Sequence, residues 1–165
     1  SEGQIPIYYN YYNTGRPAKD ENNLFYVSAY IDLPNSPRYP FGYGLSYTQF
    51  QYAPMQLSDT VLKGNQTLTV KVHVRNEGKY DGEEVVQLYL RDVTASVVRP
   101  VKELKGFQKI FLKAGETKEV VFQVKTDDLR FYNQTVQHIW EPGEFHVMVG
   151  ASSAQVETRK INWQQ

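Results

Sequence analysis

The close acidic sets in this sequence are Glu83-Glu84, Asp127-Asp128 and Glu141 with Glu144. Such pairs can do general acid and base work when one carboxyl is ionised, the other protonated, and both reach one bond. Glu83 and Glu84 are adjacent, and adjacent residues of a regular strand face opposite sides, so they cannot serve one substrate atom. They are read as turn or solvated positions. Asp127-Asp128 follows Thr126, a start suited to capping a short helical turn. His73, His138 and His146 are scattered and sit at alternating polar positions, whereas a metal needs several converging ligands. Cysteine is absent, which removes thiolate ligands and thiol nucleophiles. No Ser, His and Asp arrangement has a nucleophile motif. The expectation is a chain with no catalytic residues, no metal and no cofactor.

Aromatic residues are the other candidates. Thirteen Tyr and eight Phe are present, and many fall in the first fifty positions. Tyr8, Tyr9, Tyr39, Phe41 and Tyr43, with Tyr11, Tyr12 and Tyr47 nearby, offer flat apolar faces with hydroxyl handles that could stack on sugar rings. Interspersed with Gly and Pro, the same residues suit a wedge between two domains, and that packing role is the favoured reading. Arg16 and Arg38 could then pair with carboxylates of a neighbouring domain, each exposed pair worth about 0 to 1 kcal/mol.

These side chains need a frame, and the sequence spells one from about Leu57 onward. Leu68, Val70, Val72 and Val74 alternate with Thr69, Lys71, His73 and Arg75, the period-two pattern of a strand with one buried face. Further strands are expected over residues 50–57, 84–90, 105–112, 119–125, 145–150 and 158–163, about seven in all. Turn signals separate them at Asn76-Glu77-Gly78, Asp81-Gly82, Ala114-Gly115 and Glu141-Pro142-Gly143, where Gly can take positive φ. The fold class is an all-β, antiparallel immunoglobulin or fibronectin type III-like sandwich preceded by an extended N-terminal segment. In that segment Ile5-Pro6-Ile7-Tyr8-Tyr9 could form one short strand, which would need a sheet from elsewhere. Pro34, Pro37 and Pro40 space a connector that cannot be helical.

Composition excludes some partners. Eighteen basic and eighteen acidic residues cancel, leaving no field to attract nucleic acid or an anionic membrane surface. No apolar run approaches the roughly 20 residues that cross a bilayer, and Ser1-Glu2-Gly3-Gln4 is no signal peptide. Asn65-Gln66-Thr67 and Asn133-Gln134-Thr135 match the N-glycosylation pattern, which matters only in a eukaryotic secretory setting.

Several segments, taken in order, resemble the C-terminal region of family 3 glycoside hydrolases. Gly3-Gln4-Ile5-Pro6-Ile7-Tyr8-Tyr9-Asn10 with Asn13-Thr14-Gly15-Arg16-Pro17 is similar to the last strand and exit of that family's α/β sandwich domain. Tyr39-Pro40-Phe41-Gly42-Tyr43-Gly44-Leu45-Ser46-Tyr47-Thr48 resembles the entry to its fibronectin type III-like domain. Asp81-Gly82-Glu83-Glu84-Val85-Val86-Gln87-Leu88-Tyr89, Arg99-Pro100-Val101-Lys102-Glu103-Leu104-Lys105-Gly106-Phe107 and Glu141-Pro142-Gly143-Glu144-Phe145 complete the series. Tyr11-Tyr12 departs from it, since relatives often carry a polar or basic residue there. The resemblance implies residues 1–20 as the end of an α/β domain, 21–44 as a connector and 45–165 as the sandwich. It further implies upstream barrel and α/β domains in the same polypeptide as partners, and a retaining β-glucosidase-like or β-xylosidase-like parent, periplasmic or secreted, whose nucleophile and acid/base lie upstream. A β-linked oligosaccharide is the small-molecule partner it allows. A carbohydrate-binding module and a free-standing immunoglobulin-like interaction domain are the alternatives.

Overall fold

The computed structural model describes residues 3–18 and 26–165; Ser1-Glu2 and the boundary expected between residues 20 and 21 fall outside them. The first sheet contains β1 (Phe50–Tyr52), β2 (Gln56–Leu57), β4 (Leu68–Asn76) and β7 (Thr117–Val124). β4 is its spine: Leu68, Val70, Val72 and Val74 all turn inward and are at most 2% exposed. β7 pairs antiparallel along β4, from Leu68 opposite Val124 to Arg75 opposite Thr117. The other side of β4 takes β1 and then β2. The single strand expected over 50–57 is thus two, and Pro54, which has no N–H to give a ladder, lies in the break.

The second sheet runs in the order β3 (Val61–Lys63), β11 (Val156–Gln164), β10 (Gly143–Gly150), β5 (Gly82–Asp92) and β6 (Glu103–Leu112). All its pairings are antiparallel except β3 with β11, an edge addition that the alternation gives no sign of. A two-stranded hairpin, β8 (Phe131–Tyr132) and β9 (His138–Ile139), lies apart from both sheets. The all-β sandwich is therefore as expected, with short strands added.

The core lies between the two inner faces. Val70, Val72 and Val74 meet Val86, Leu88, Phe145, Val147 and Ile161 across the gap, and Trp163 closes one end with its indole N–H donated to the Gly64 carbonyl at 2.9 Å. Each such side chain contributes roughly 1.5 to 3 kcal/mol by leaving water. At the other end of β4, Asn76 is fully buried and its amide is saturated. Its Nδ2 donates to the carbonyls of Tyr80 and Leu112, and its Oδ1 accepts from Thr48 and from the Gly78 N–H.

Two local expectations are corrected. Among the turn glycines named above only Gly115 takes positive φ, at 78°. Gly78 and Gly82 are needed for space instead, since a Cβ on either would run into Thr48. The helical turn is a single 3₁₀ turn, Thr126–Leu129, but its cap is not Thr126, which is buried within it. The N-cap position is Lys125, and the acidic pair acts from inside the turn, where the Asp128 carboxylate accepts the Lys125 N–H at 2.7 Å. Residues 5–9 take no strand within this chain, and the segment's bridge comes later, Tyr12 opposite Pro100.

Candidate functional site

β5 and β10 turn Gln87, Tyr89 and Met148 away from the core, yet all three are at most 5% exposed. The N-terminal segment lies over Gln87 and Tyr89. The Tyr9 ring stacks on Phe41 with centroids 4.3 Å apart and meets Tyr89 edge-on at 5.8 Å, and the Tyr9 hydroxyl accepts the Leu104 N–H. The Pro40-Phe41-Gly42-Tyr43 turn sits beside it, closed by the Tyr43 N–H on the Pro40 carbonyl at 2.9 Å. Gly42 has φ 81° there, and its missing side chain leaves room for Gln87, whose amide donates to the carbonyls of Ala151 and Gly42. Only glycine meets both demands at low cost. The Tyr89 hydroxyl donates to the Gln87 carbonyl oxygen, and burial pushes that phenol up to about 12.

The five aromatic candidates divide by what they touch. Tyr9 packs the segment onto the sandwich and Phe41 stacks on it while staying exposed on its other side, and Tyr8, Tyr39 and Tyr43 keep much of their rings in solvent. Tyr8, Tyr9, Tyr39 and Phe41 line one groove of about 1200 Å³, and Tyr43 contacts Tyr39 at 5.1 Å from its flank. Arg38 lies over the Tyr39 ring, 5.7 Å from its centroid. Ile5, Tyr11, Tyr12, Ile31, Leu45 and Tyr47 extend the exposed apolar surface, Tyr47 to 98% of its area. Lys102 enters the groove with its ammonium on the Ser153 carbonyl at 2.6 Å; burial first, and Arg91 next, pull its pKa down.

The acidic sets do not converge. Glu83 points outward to Lys109 at 2.6 Å, and Glu84 points inward to the Tyr52 hydroxyl at 2.9 Å. Glu84 is therefore half-buried rather than solvated, because it shares the core-facing parity of Val86 and Leu88. Burial raises its pKa, and the Tyr52 hydrogen bond works against that rise. Asp127 pairs with Arg130, Glu141 accepts the Ser96 N–H, and Glu144 pairs with His146 and Lys160. His73 lies 3.7 Å from Glu119, and His138 stacks on Tyr132. His146, with a side chain 19% exposed, is more enclosed than a plain surface position. No three His, Asp or Glu among the described residues could hold a metal ion.

Sequence reading missed Gln87 and the partly buried cluster of Asp92, Arg99 and Glu103. A polar side chain in an apolar run was the available signal for Gln87.

The description "Fibronectin type III-like domain" fits residues 84–153. Together with the two-sheet fold this defines the chain as carrying a fibronectin type III-like sandwich module. A periplasmic β-glucosidase of Salmonella typhimurium is 50% identical over 157 residues, covering 95% of this chain and 20% of that protein. A putative β-xylosidase of Formosa agariphila is 40% identical over 164 residues, covering 99% and 20%. The crystal structure of the Listeria innocua β-glucosidase in complex with gluconolactone superposes with a TM-score of 0.93 at 46% identity, over 99% of this chain and 23% of that one. The chain thus spans about a fifth of the length of these relatives. It corresponds to the C-terminal region of family 3 glycoside hydrolases, fibronectin type III-like domain included, as its ordered motifs imply.

Proposed function

We propose that this chain is a non-catalytic bracing module of a retaining hydrolase of β-linked glucosides or xylosides. One observation carries this reading: among the described residues, eleven of the nineteen exposed large apolar side chains fall between Ile5 and Tyr47, outside the sandwich core. A patch of that kind marks an interaction surface. Its occupant is the barrel and α/β domains of the same polypeptide, consistent with relatives about five times as long. In this reading residues 1–20 end the α/β domain, 21–44 connect, and 45–165 form the brace. The name of the Salmonella relative, a periplasmic β-glucosidase, supports a periplasmic or secreted setting for the parent.

The test is made in the polypeptide that carries this chain. Tyr8→Ser combined with Tyr39→Ser removes two exposed rings without touching Tyr9 or the core. The expected outcome is a lower inactivation temperature and weaker aryl β-glucosidase activity, with the melting of the isolated chain unchanged. Unchanged activity and stability of the whole enzyme, or aryl β-glucoside hydrolysis by the purified chain alone, would overturn the reading.

A second reading rests on the tyrosine hydroxyls at the groove rim, which suit a β-linked oligosaccharide. In that case the isolated chain migrates more slowly in gels containing β-glucan or xylan, and Tyr39→Ser restores its mobility. Unchanged migration leaves only the bracing role.

A further inference from the structure

Arg99 lies in the loop that joins β5 to β6, and its side chain is 13% exposed. It donates to Glu103 Oε2 at 2.6 Å, faces Asp92 Oδ2 at 4.0 Å and lies over the Phe131 ring at 4.5 Å. Asp92, at the end of β5, has a side chain only 5% exposed. Its Oδ2 and the Arg99 Nε have no hydrogen-bond partner among the described residues. Lys105 approaches Glu103 at 3.9 Å, the Thr94 N–H donates to Asp92, and Glu141 is a further nearby carboxylate. From β10 the residue opposite Asp92 is the apolar Phe145. Carboxylates therefore outnumber the guanidinium they surround.

The residues that follow Arg99 are the ones that hold the N-terminal segment. Pro100 bridges Tyr12, the Val101 N–H donates to the Tyr11 carbonyl at 2.9 Å, and Lys102 ties the loop to Ser153. Two residues on, Leu104 donates to the Tyr9 hydroxyl. All of these contacts fall within five residues of Arg99.

We propose that Asp92, Arg99 and Glu103 form a latch, which presents Pro100 and Val101 as the rung on which the N-terminal segment docks. The latch is a positioning device. It stands on contacts within this chain and does not depend on what the exposed face of the segment binds.

Proton binding gives the latch a direction. Burial, foremost, pushes the Asp92 carboxyl up to about 6, against the pull of Arg99. Opening the latch returns Asp92 to solvent and to an ordinary carboxylate pKa near 3.9. The closed form binds the proton more tightly, so closure is fully favoured below that ordinary value and loses ground as pH rises through about 6.

Amide hydrogen exchange, corrected for intrinsic rates, reads this directly. The Val101 amide reports docking, while those of Val72 and Val147, inside the two sheets, report the sandwich. With Arg99→Gln, Val101 is expected to exchange about ten-fold faster or more while Val72 and Val147 stay within about two-fold, a local rather than global opening. In the unaltered protein Val101 protection falls between pH 5 and pH 8, and with Asp92→Asn it stays level. Val101 unchanged in Arg99→Gln, or rising in step with Val72 and Val147, overturns the latch. So does an equal pH slope in Asp92→Asn and the unaltered protein, which decides the matter if Arg99→Gln does not fold.

Discussion

Glu84 continues the core-facing row of Val86, Leu88 and Leu90 but ends it in a carboxyl, at the margin where the Tyr52 hydroxyl can reach it. Burial raises the Glu84 pKa, so the folded chain holds this proton more tightly than the unfolded one. Its contribution is therefore most favourable below the ordinary value of 4.5 and declines as pH rises through the raised folded value. Glu84→Gln keeps an acceptor for Tyr52 and removes the charge. It is expected to raise stability at pH 8 and to change it little at pH 4. Urea unfolding at the two pH values checks this; an equal effect at both would mean the charge carries no cost. None of this was legible in the sequence. The Glu83-Glu84 step correctly implied opposite faces, but which face met the core depended on the pairing of β5 with β10 and β6.

The long strands were the legible elements, because alternation in β4 and β7 comes from burial on one face and needs no knowledge of the partner. β3, β8 and β9 were not, since two or three residues cannot show a period. The same brevity explains why the break at Pro54 was passed over. What the alternation also could not give is how the sheet ends are protected. β6 is an edge of the five-stranded sheet and runs for ten residues, a template for unwanted pairing. Gln108 donates to the Val121 carbonyl and Lys118 to the Phe111 carbonyl, each at 2.6 Å, so side chains stitch the β6 and β7 edges together. Outside, Lys109 separates exposed Phe107 from Phe111 and pairs with Glu83. As a solvent-exposed pair it is worth about 0 to 1 kcal/mol. Its larger role is to interrupt an apolar edge. Lys109→Val is therefore expected to leave the melting temperature nearly unchanged but to make the protein self-associate as concentration rises. Sedimentation velocity over a concentration series reads this, and a monomer throughout would show the edge is already blunted by Gln108 and Lys118.

At the scale of the molecule, the two parts of the chain are held by different physics. The core cluster begins at Met55, and the first residue tied to its frame by a buried side chain is Thr48, through Asn76. Among the described residues the N-terminal segment adds no member to that cluster. It adheres through Tyr9, Phe41, Gly42 and the Val101 rung, contacts that link distant positions and leave no trace in local spacing. Residues 45–165 alone should therefore keep one cooperative transition. Loss of the Tyr9 ring contacts with Phe41 and Tyr89 should cost roughly 1 to 3 kcal/mol and lower the midpoint by several degrees. Gln87 and Tyr89 would then face water, so the shortened chain should bind a hydrophobic dye that the whole chain ignores. Calorimetry with dye fluorescence measures both. A cooperative melt with new dye binding makes the segment a cover over a self-sufficient sandwich, fitted to carry a neighbour on its other face. A shortened chain with no cooperative transition would make residues 3–44 part of the folding unit, and the exposed tyrosines would then belong to the sandwich's own surface.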